Sequence, residues 1–348
     1  MDVEPSSARK RDITIIGAGI AGLWQALTFA RAGHAVTVHE RGDEAMTAAA
    51  SHWAGGMLAP WCEREAAEEV IVALGSRSLA LWRRALPDVP FDGSLVVAHS
   101  RDRVDLERFA AMTDEHLRLD AAGLAALEPA LEGRFREALF FAGEGHVEPR
   151  RVMPALRRLI AEAGGRIRFG TTTEPEAVEG WVIDCRGLAA RNGTARPAGL
   201  RGVKGETVLV ETDEIRLSRP VRLMHPRWPL YVVPRADNRF LIGATSIETE
   251  SGGVSLRSAL ELMSAAYALH PAFAEARIVE LGSALRPAFA DNRPRIARDG
   301  RVISVNGLYR HGFLIAPALA ELTLALVEGE GPSPEILNDH PILEEVLA

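Results

Sequence analysis

The sequence predicts an α/β protein in which a parallel-sheet domain is interleaved with an antiparallel-sheet α+β domain. Three observations carry that expectation. The loop Gly17-Ala18-Gly19-Ile20-Ala21-Gly22 follows the apolar run Ile13–Ile16 and opens a helical pattern. From Gly205 the chain becomes β-rich, with the hairpin signal Asp237-Asn238. At Val302 it returns to a strand, a glycine loop and a helix.

The first forty residues organise the rest. Ile13-Thr14-Ile15-Ile16 is a β-branched run of the kind that fills a buried parallel strand. Leu23, Ala26, Leu27 and Ala30 give the next segment an apolar helix face, and Gly33 is placed to end it. Ala35–His39 is the second strand and Glu40 follows it. In such a unit Gly17 permits the tight turn, Gly19 lets a pyrophosphate approach the backbone, and Gly22 lets helix and strand pack closely. The helix start, Ile20-Ala21, offers N–H groups and a positive dipole end to phosphates. Glu40 is positioned for an adenosine ribose. A glycine-rich turn alone would be weak evidence; strand, helix, second strand and terminal acid together make the domain Rossmann-type and dinucleotide-binding.

Chain-wide properties exclude several classes. The 348 residues allow two lobes, and 47% hydrophobic with 25% charged residues is an ordinary globular composition. A net charge of −7 argues against a nucleic-acid partner. The two cysteines, Cys62 and Cys185, lack metal-ligand spacing, so no metal site is expected, and no disulfide framework either. Residues 1–10 lack the apolar run of a signal peptide, and no membrane span is foreseen, so the expected location is cytoplasmic.

Further along, Ser51-His52-Trp53-Ala54-Gly55-Gly56-Met57-Leu58 places two glycines among small residues, either to hold backbone against a flat ligand or merely to turn the chain. His52 is a candidate ligand or base. Helices are expected over residues 63–86, 103–115, 123–131 and 153–163, and strands at 94–98 and 138–142. Ile167–Phe169 and Trp181–Cys185 read as strands returning to the parallel sheet, which puts Gly187 in the same crevice as Gly17. Glu206–Glu211, Leu230–Pro234, Arg239–Gly243 and Leu281–Leu285 read as strands of the second lobe, with a helix at Leu256–Leu269. After Val302–Val305 comes the loop Asn306–Gly312, and Ala316-Pro317 is expected to start a helix ending at Gly329. The dinucleotide domain is expected to comprise 1–80, 144–204 and 282–348, and the substrate domain 81–143 and 205–281.

Together the glycine fingerprint with Glu40, Ser51–Pro60, Gly145–Pro149, Tyr231–Arg235, Leu285-Arg286-Pro287 and Tyr309–Leu314 resemble the D-amino-acid oxidase superfamily, within it the thiamine-pathway glycine oxidases (ThiO-type). The likeness runs from about Arg11 to Glu328. It implies FAD, with the adenosine end on Gly17–Gly22, Glu40 and Arg41, and the flavin ring toward Ser51, Gly55, Gly56, Met57 and Leu58. Gly187 and the stretch Gly307, Arg310, His311, Gly312, Phe313 and Leu314 would complete the cofactor contacts. Because no cysteine follows Cys185, the FAD is expected to be noncovalent.

By the same resemblance Arg286, Arg310 and Tyr231 would hold the carboxylate of a small amino-acid substrate, for which an arginine fork is suited. The implied reaction is oxidative deamination of glycine or a similar amino acid with molecular oxygen as acceptor, serving thiazole synthesis. Alternatives are a D-amino-acid or N-methylamino-acid oxidase or dehydrogenase, and a non-catalytic FAD-binding sensor. A homo-oligomer is compatible with all of these.

Overall fold

The computed structural model describes residues 10–65, 67–192, 198–225 and 230–329, and the backbone of 343–345. The reading of residues 1–9 as free of an apolar leader lies outside the described residues. In chain order the elements are β1 (Asp12–Ile16), α1 (Ile20–Arg31), β2 (Ala35–His39), β3 (Met57–Leu58), α2 (Pro60–Glu63), α3 (Glu69–Ala85), β4 (Ser94–Ala98), α4 (Arg103–Met112), β5 (Leu117–Asp120), α5 (Ala121–Leu127), β6 (Glu137–Phe141), β7 (Gly145–His146) and α6 (Pro149–Glu162). They continue with β8 (Arg166–Arg168), β9 (Trp181–Asp184), β10 (Arg201–Glu211), β11 (Val221–Met224), β12 (Leu230–Pro234), β13 (Arg239–Gly243), α7 (Leu256–Leu269), β14 (Arg277–Ala288), β15 (Arg295–Asp299), β16 (Val302–Asn306), α8 (Gly312–Glu328) and β17 (Leu343–Glu345). The mixed α/β fold foreseen from the sequence is the one found.

The chain forms two compact units. The first comprises 1–51, 152–201 and 287–348; the second comprises 52–151 and 202–286. Residues 52–80, 144–151, 202–204 and 282–286, assigned to the dinucleotide domain from the sequence, thus fall in the second unit. Local contacts tie the first two of these stretches to the second unit: Arg235 donates to Gly55 O and Val147 O, and Arg222 Nη2 donates to Glu63 Oε1 at 3.1 Å.

Unit 1 is built on a seven-stranded sheet in the order β17-β15-β16-β9-β1-β2-β8. Strands β16, β9, β1, β2 and β8 run parallel, and Ile13, Ile15, Val36, Val38, Val182, Ile183 and Ile303 are buried between their neighbours. Helix α1 buries Leu23, Trp24, Leu27 and Phe29. It packs against α8, and Gln25 Nε2 donates to Thr323 Oγ1 at 3.1 Å within that contact. Helix α8 begins at Gly312, four residues earlier than expected, so Pro317 lies inside it. A proline there removes one backbone hydrogen bond. Burial of Phe313, Leu314 and Ile315 in the added turn offsets that loss.

Unit 2 is built on an eight-stranded sheet in the order β14-β10-β13-β12-β11-β4-β6-β5. Its two faces follow the period of two along each strand. Val208, Val210, Val232, Phe240 and Ile242 form one buried face under α7, where Phe240 meets Phe273 edge to face at 5.3 Å. Gly205, Thr207 and Leu209 necessarily point the other way, as do Leu241 and Gly243. The Asp237-Asn238 hairpin is as foreseen: both residues have positive φ, 59° and 54°, and Arg239 N donates to Ala236 O at 3.3 Å. Two expectations shift. Strand β14 runs from Arg277 to Ala288, well beyond Leu281–Leu285. Strand β5 was not foreseen, because its sequence Leu-Arg-Leu-Asp is largely exposed at a sheet edge and carries little apolar signal.

Candidate active site

In unit 1 four parallel neighbours, β16, β9, β1 and β2, end at one sheet edge and deliver four loops to it. The loop after β1 is tied down by short backbone contacts. Gly17 has φ +100°, its N–H donates to His39 O at 2.8 Å, and an added Cβ would lie 2.7 Å from Cys185 O. A Cβ on Gly22 would stand 1.8 Å from Gly17 O. No side chain fits at either position.

Gly19 is different. It has an ordinary φ of −63°, and a Cβ there would meet only Ser51 Oγ, at 3.4 Å. The chain's own atoms leave room for a Cβ at 19, so the glycine here leaves bare backbone open to close approach by a ligand. Ser51 Oγ accepts from Ile20 N at 3.0 Å. Helix geometry leaves Ala21 and Gly22 without intrahelical acceptors at the positive dipole end.

Glu40 follows β2 and sets the cradle's shape. Its Oε2 accepts from Ala18 N at 2.7 Å and its Oε1 from Gly42 N at 2.8 Å. A carboxylate accepts about four hydrogen bonds, so these two leave capacity for ribose hydroxyls. The segment 171–179 lies beside this loop: Thr171 N donates to Glu40 O at 2.9 Å, and His39 Nδ1 and Thr173 Oγ1 are 2.6 Å apart. Arg41 is exposed.

The remaining two loops are joined by Asn306, which the sequence did not single out. It is buried, its Nδ2 donates to Gly187 O at 3.0 Å, and its Oδ1 accepts from Gly307 N at 2.8 Å. Gly307 has φ +74°, and a Cβ there would lie 2.3 Å from the Phe289 ring. His311 is the buried N-cap residue of α8, and Gly312 opens the helix 3.3 Å, measured from its missing Cβ, from Ile20 Cγ2. Phe313 and Leu314 are core residues, so only their backbone is available to a ligand. Arg310 is exposed. The cradle at Gly19, the helix start and Glu40 fit a dinucleotide such as FAD.

In unit 2 a second set of residues gathers on the sheet face opposite α7. Arg286, on β14, lies flat over Gly205 of β10: a Cβ at 205 would be 2.1 Å from Arg286 Nη2. Arg286 Nη1 donates to Thr245 O at 2.9 Å and to Lys204 O at 3.5 Å, which fixes the plane of the guanidinium. Two residues along β10, Thr207 pairs with Gly243, and Gly243 pairs with Tyr231. The Tyr231 hydroxyl lies over two glycines; Cβ atoms at Gly55 and Gly243 would fall 2.8 and 2.9 Å from it. Trp53 completes the row, lying on Gly282, where a Cβ would be 2.3 Å from its Cε3.

Arg286, Tyr231 and Trp53 thus each rest on a glycine. The close approach foreseen at Gly55 and Gly56 is therefore to the protein's own groups. Gly56, with φ +70°, sits where a Cβ would be 2.1 Å from Val147 O, and its own carbonyl accepts from Val147 N at 2.8 Å. Met57 and Leu58 continue into β3.

Arg235, the last residue of Tyr231–Arg235, was not assigned a role from the sequence. It donates to Gly55 O at 2.6 Å and Val147 O at 3.3 Å, stapling the glycine loop to β7. Burial pulls its guanidinium down to about 10, with Glu148 and Tyr231 acting against that shift. Burial, with Arg235 nearby, likewise pushes His146 down to about 4, so it is neutral at physiological pH. Among the described residues no cluster of metal-ligating side chains occurs, and no helix is long and apolar enough to cross a membrane.

Comparison with known proteins agrees with this geometry. Residues 12–326 match the model of the DAO family, described as FAD dependent oxidoreductase. A Rhizobium etli protein with the provisional name thiamine biosynthesis oxidoreductase ThiO is 51% identical over 322 residues, covering 92% of this chain and 97% of the relative. A glycine oxidase of Bacillus licheniformis is 28% identical, over 92% of this chain and 94% of its own. The crystal structure of glycine oxidase from Geobacillus kaustophilus superposes with a TM-score of 0.79 at 25% identity, covering 93% and 96% of the two chains. A match spanning almost the whole chain settles the assignment: this protein belongs to the DAO family of FAD-dependent oxidoreductases and is an FAD enzyme of the ThiO and glycine oxidase kind.

Proposed function

We propose that the enzyme oxidises glycine, or another amino acid with a very small side chain, to its imine. Dioxygen would become hydrogen peroxide, and the imine would either hydrolyse to the 2-oxo acid and ammonia or enter thiamine thiazole synthesis. The observation that carries this reading is Arg286, its guanidinium plane fixed by Thr245 O and Lys204 O on the sheet face that also bears Tyr231. Such a preset fork suits a carboxylate better than a mobile lysine would. The names of the Rhizobium and Bacillus relatives support the amino-acid substrate and the thiamine context.

In this reading Arg286 binds the substrate carboxylate and the Tyr231 hydroxyl donates a second hydrogen bond to it. Arg310, exposed on the loop before α8, is a second candidate contact. Gly17–Gly22 and Glu40 hold the adenosine diphosphate end of FAD, and the loop Gly307–Leu314 with its helix start supplies backbone N–H groups to the ring. FAD, when bound, would supply the two-electron acceptor for the α-hydrogen, with dioxygen as the final oxidant. The chain's share is orientation: with the carboxylate fixed and the amine present as free base, no side-chain base is required.

The test is anaerobic mixing of holoenzyme with glycine, sarcosine and D-amino acids, followed by peroxide assay in air. Glycine should bleach the flavin absorbance and release one peroxide per turnover. Failure of every amino acid to bleach it would refute the reading, while bleaching only by larger D-amino acids or sarcosine would move the substrate assignment to those compounds.

A further inference from the structure

On the proposed reading of Arg286 as carboxylate anchor, the substrate face of unit 2 has a floor built mainly of glycines. Gly205, Gly243 and Gly282, with Thr207 among them, occupy neighbouring positions on β10, β13 and β14. Three side chains stand around that floor: Arg286 over Gly205, Tyr231 over Gly243 and Trp53 over Gly282. Two of them are polar and accounted for by the carboxylate. Trp53 is not.

Trp53 is held in an ordered stack. His52 meets it edge-on at 5.0 Å, and Arg150 lies over its ring at 5.2 Å. Arg150 is itself held by Glu280, Nη2 to Oε2 at 2.7 Å. Beyond the indole is a cleft of about 100 Å³, floored by Leu209 and Leu241 and edged by Arg235 and Arg239. That cleft reaches Thr207, Gly282 and Trp53 but none of Gly205, Gly243, Tyr231 or Arg286. The indole therefore stands between the anchor residues and an open volume on the same sheet face.

We infer that Trp53 is the specificity-determining wall that excludes amino acids with bulky side chains. Removing the indole would join the anchor face to the cleft. An apolar cavity of about 150 Å³ admits benzene, so 100 Å³ plus the space of an indole is enough for a benzyl group.

The inference rests on the amino-acid oxidase reading, and its test separates the two. Holoenzymes with Trp53→Ala, Trp53→Phe and Arg150→Met are assayed for kcat/KM with glycine and with each enantiomer of phenylalanine. The Kd values of acetate and 3-phenylpropionate are measured by calorimetry, which needs no turnover. The phenylalanine-to-glycine ratio should rise about tenfold or more in Trp53→Ala, because one or two methylenes' worth of pocket already changes selectivity by about 10–200-fold. It should rise less in Trp53→Phe. Arg150→Met keeps the indole but removes its cation lid, and it should move the ratio in the same direction by a few fold. The ratio of acetate to phenylpropionate Kd should move in parallel. Unchanged ratios in variants that retain FAD and melt cooperatively would overturn the role of Trp53. If wild type oxidises no amino acid and binds neither carboxylate, the substrate reading and this inference fall together.

Discussion

The two sheets of this molecule build their candidate sites by opposite means. In unit 1 the cradle is made of main chain: Gly17 and Gly22 pack against carbonyl oxygens, Glu40 holds the N–H groups of Ala18 and Gly42, and Asn306 ties two loops together. In unit 2 the corresponding surface is made of side chains laid on glycines drawn from separate strands and a loop. Backbone-built sites need contiguous residues with fixed conformations, so they tolerate almost no substitution. A face built from long side chains can absorb a methyl group by moving a guanidinium or an indole, and loses function before it loses stability.

That contrast can be broken or sharpened at particular residues. The largest effect is expected for Gly22→Val, whose Cβ would stand 1.8 Å from Gly17 O. Neither atom belongs to a flexible side chain, so the destabilisation should reach at least about 3 kcal/mol, with loss of FAD. A thermal melt and the visible spectrum of the purified variant check it; full flavin content and a wild-type melt would show that the turn is not rigid.

Gly205→Ala is the matching change in unit 2. Its Cβ would collide with Arg286 Nη2 at 2.1 Å, the mobile end of a side chain. Stability should change by less than about 1 kcal/mol and FAD should stay bound, because backbone at a strand glycine accepts alanine. The kcat/KM for glycine should nevertheless fall by about two orders of magnitude, the loss expected when a positioned group is shifted by an ångström. Equal losses of stability and activity would erase the contrast.

A third difference concerns pH. In unit 2, Glu144 is fully buried, accepting from Ser94 Oγ and, at 2.9 Å, from Cys62 N. Burial raises its carboxyl from 4.5 to about 7. The folded protein then holds this proton more tightly than the unfolded chain does. The contribution of this group to stability is therefore full below pH 4.5 and is lost between 4.5 and 7, roughly 3 kcal/mol in all. Glu144→Gln keeps an acceptor for Cys62 N and should remove that decline, raising the melting temperature at pH 8 relative to wild type. A melt-versus-pH profile identical to wild type would place the titration elsewhere.

The smallest effect is expected at Glu40→Gln. The neutral amide keeps one acceptor and loses charge-assisted bonds, so the FAD Kd should weaken about tenfold, roughly 1.4 kcal/mol, with folding intact. Reconstitution of the apoprotein measures it, and unchanged affinity would remove Glu40 from the ribose.

Sequence reading followed the same division. The β1–α1–β2 unit, the place of Glu40 just after β2, the glycine turns at Gly187 and Gly307 and the Asp237-Asn238 turn were legible, because each is written in adjacent residues. Arg286 and Tyr231 were reached only through resemblance to a family. Gly205, Gly243 and Gly282 went unassigned as a group, since only strand register brings them to one face and register is not a local property; Trp53 reaches that face from a segment outside the sheet. Pro317 misled the start of α8 because tertiary burial of Phe313–Ile315 outweighs a local rule about proline. Asn306 left a faint trace, a polar residue closing an apolar strand; Arg235 was visible only as the end of a motif.

The central claim is that Arg286 reads a substrate carboxylate, and one comparison tests it most directly. Arg286→Ala and Arg286→Lys holoenzymes are assayed with glycine and with ethylamine, which has no carboxylate. Removing the charged partner should cost about 3–5 kcal/mol, two to four orders of magnitude in kcat/KM for glycine. Lysine should restore part of it, since charge survives without the fork. Flavin content should be unchanged and ethylamine turnover nearly so. Equal losses with both substrates would contradict the account, because Arg286 would then be holding something other than the carboxylate.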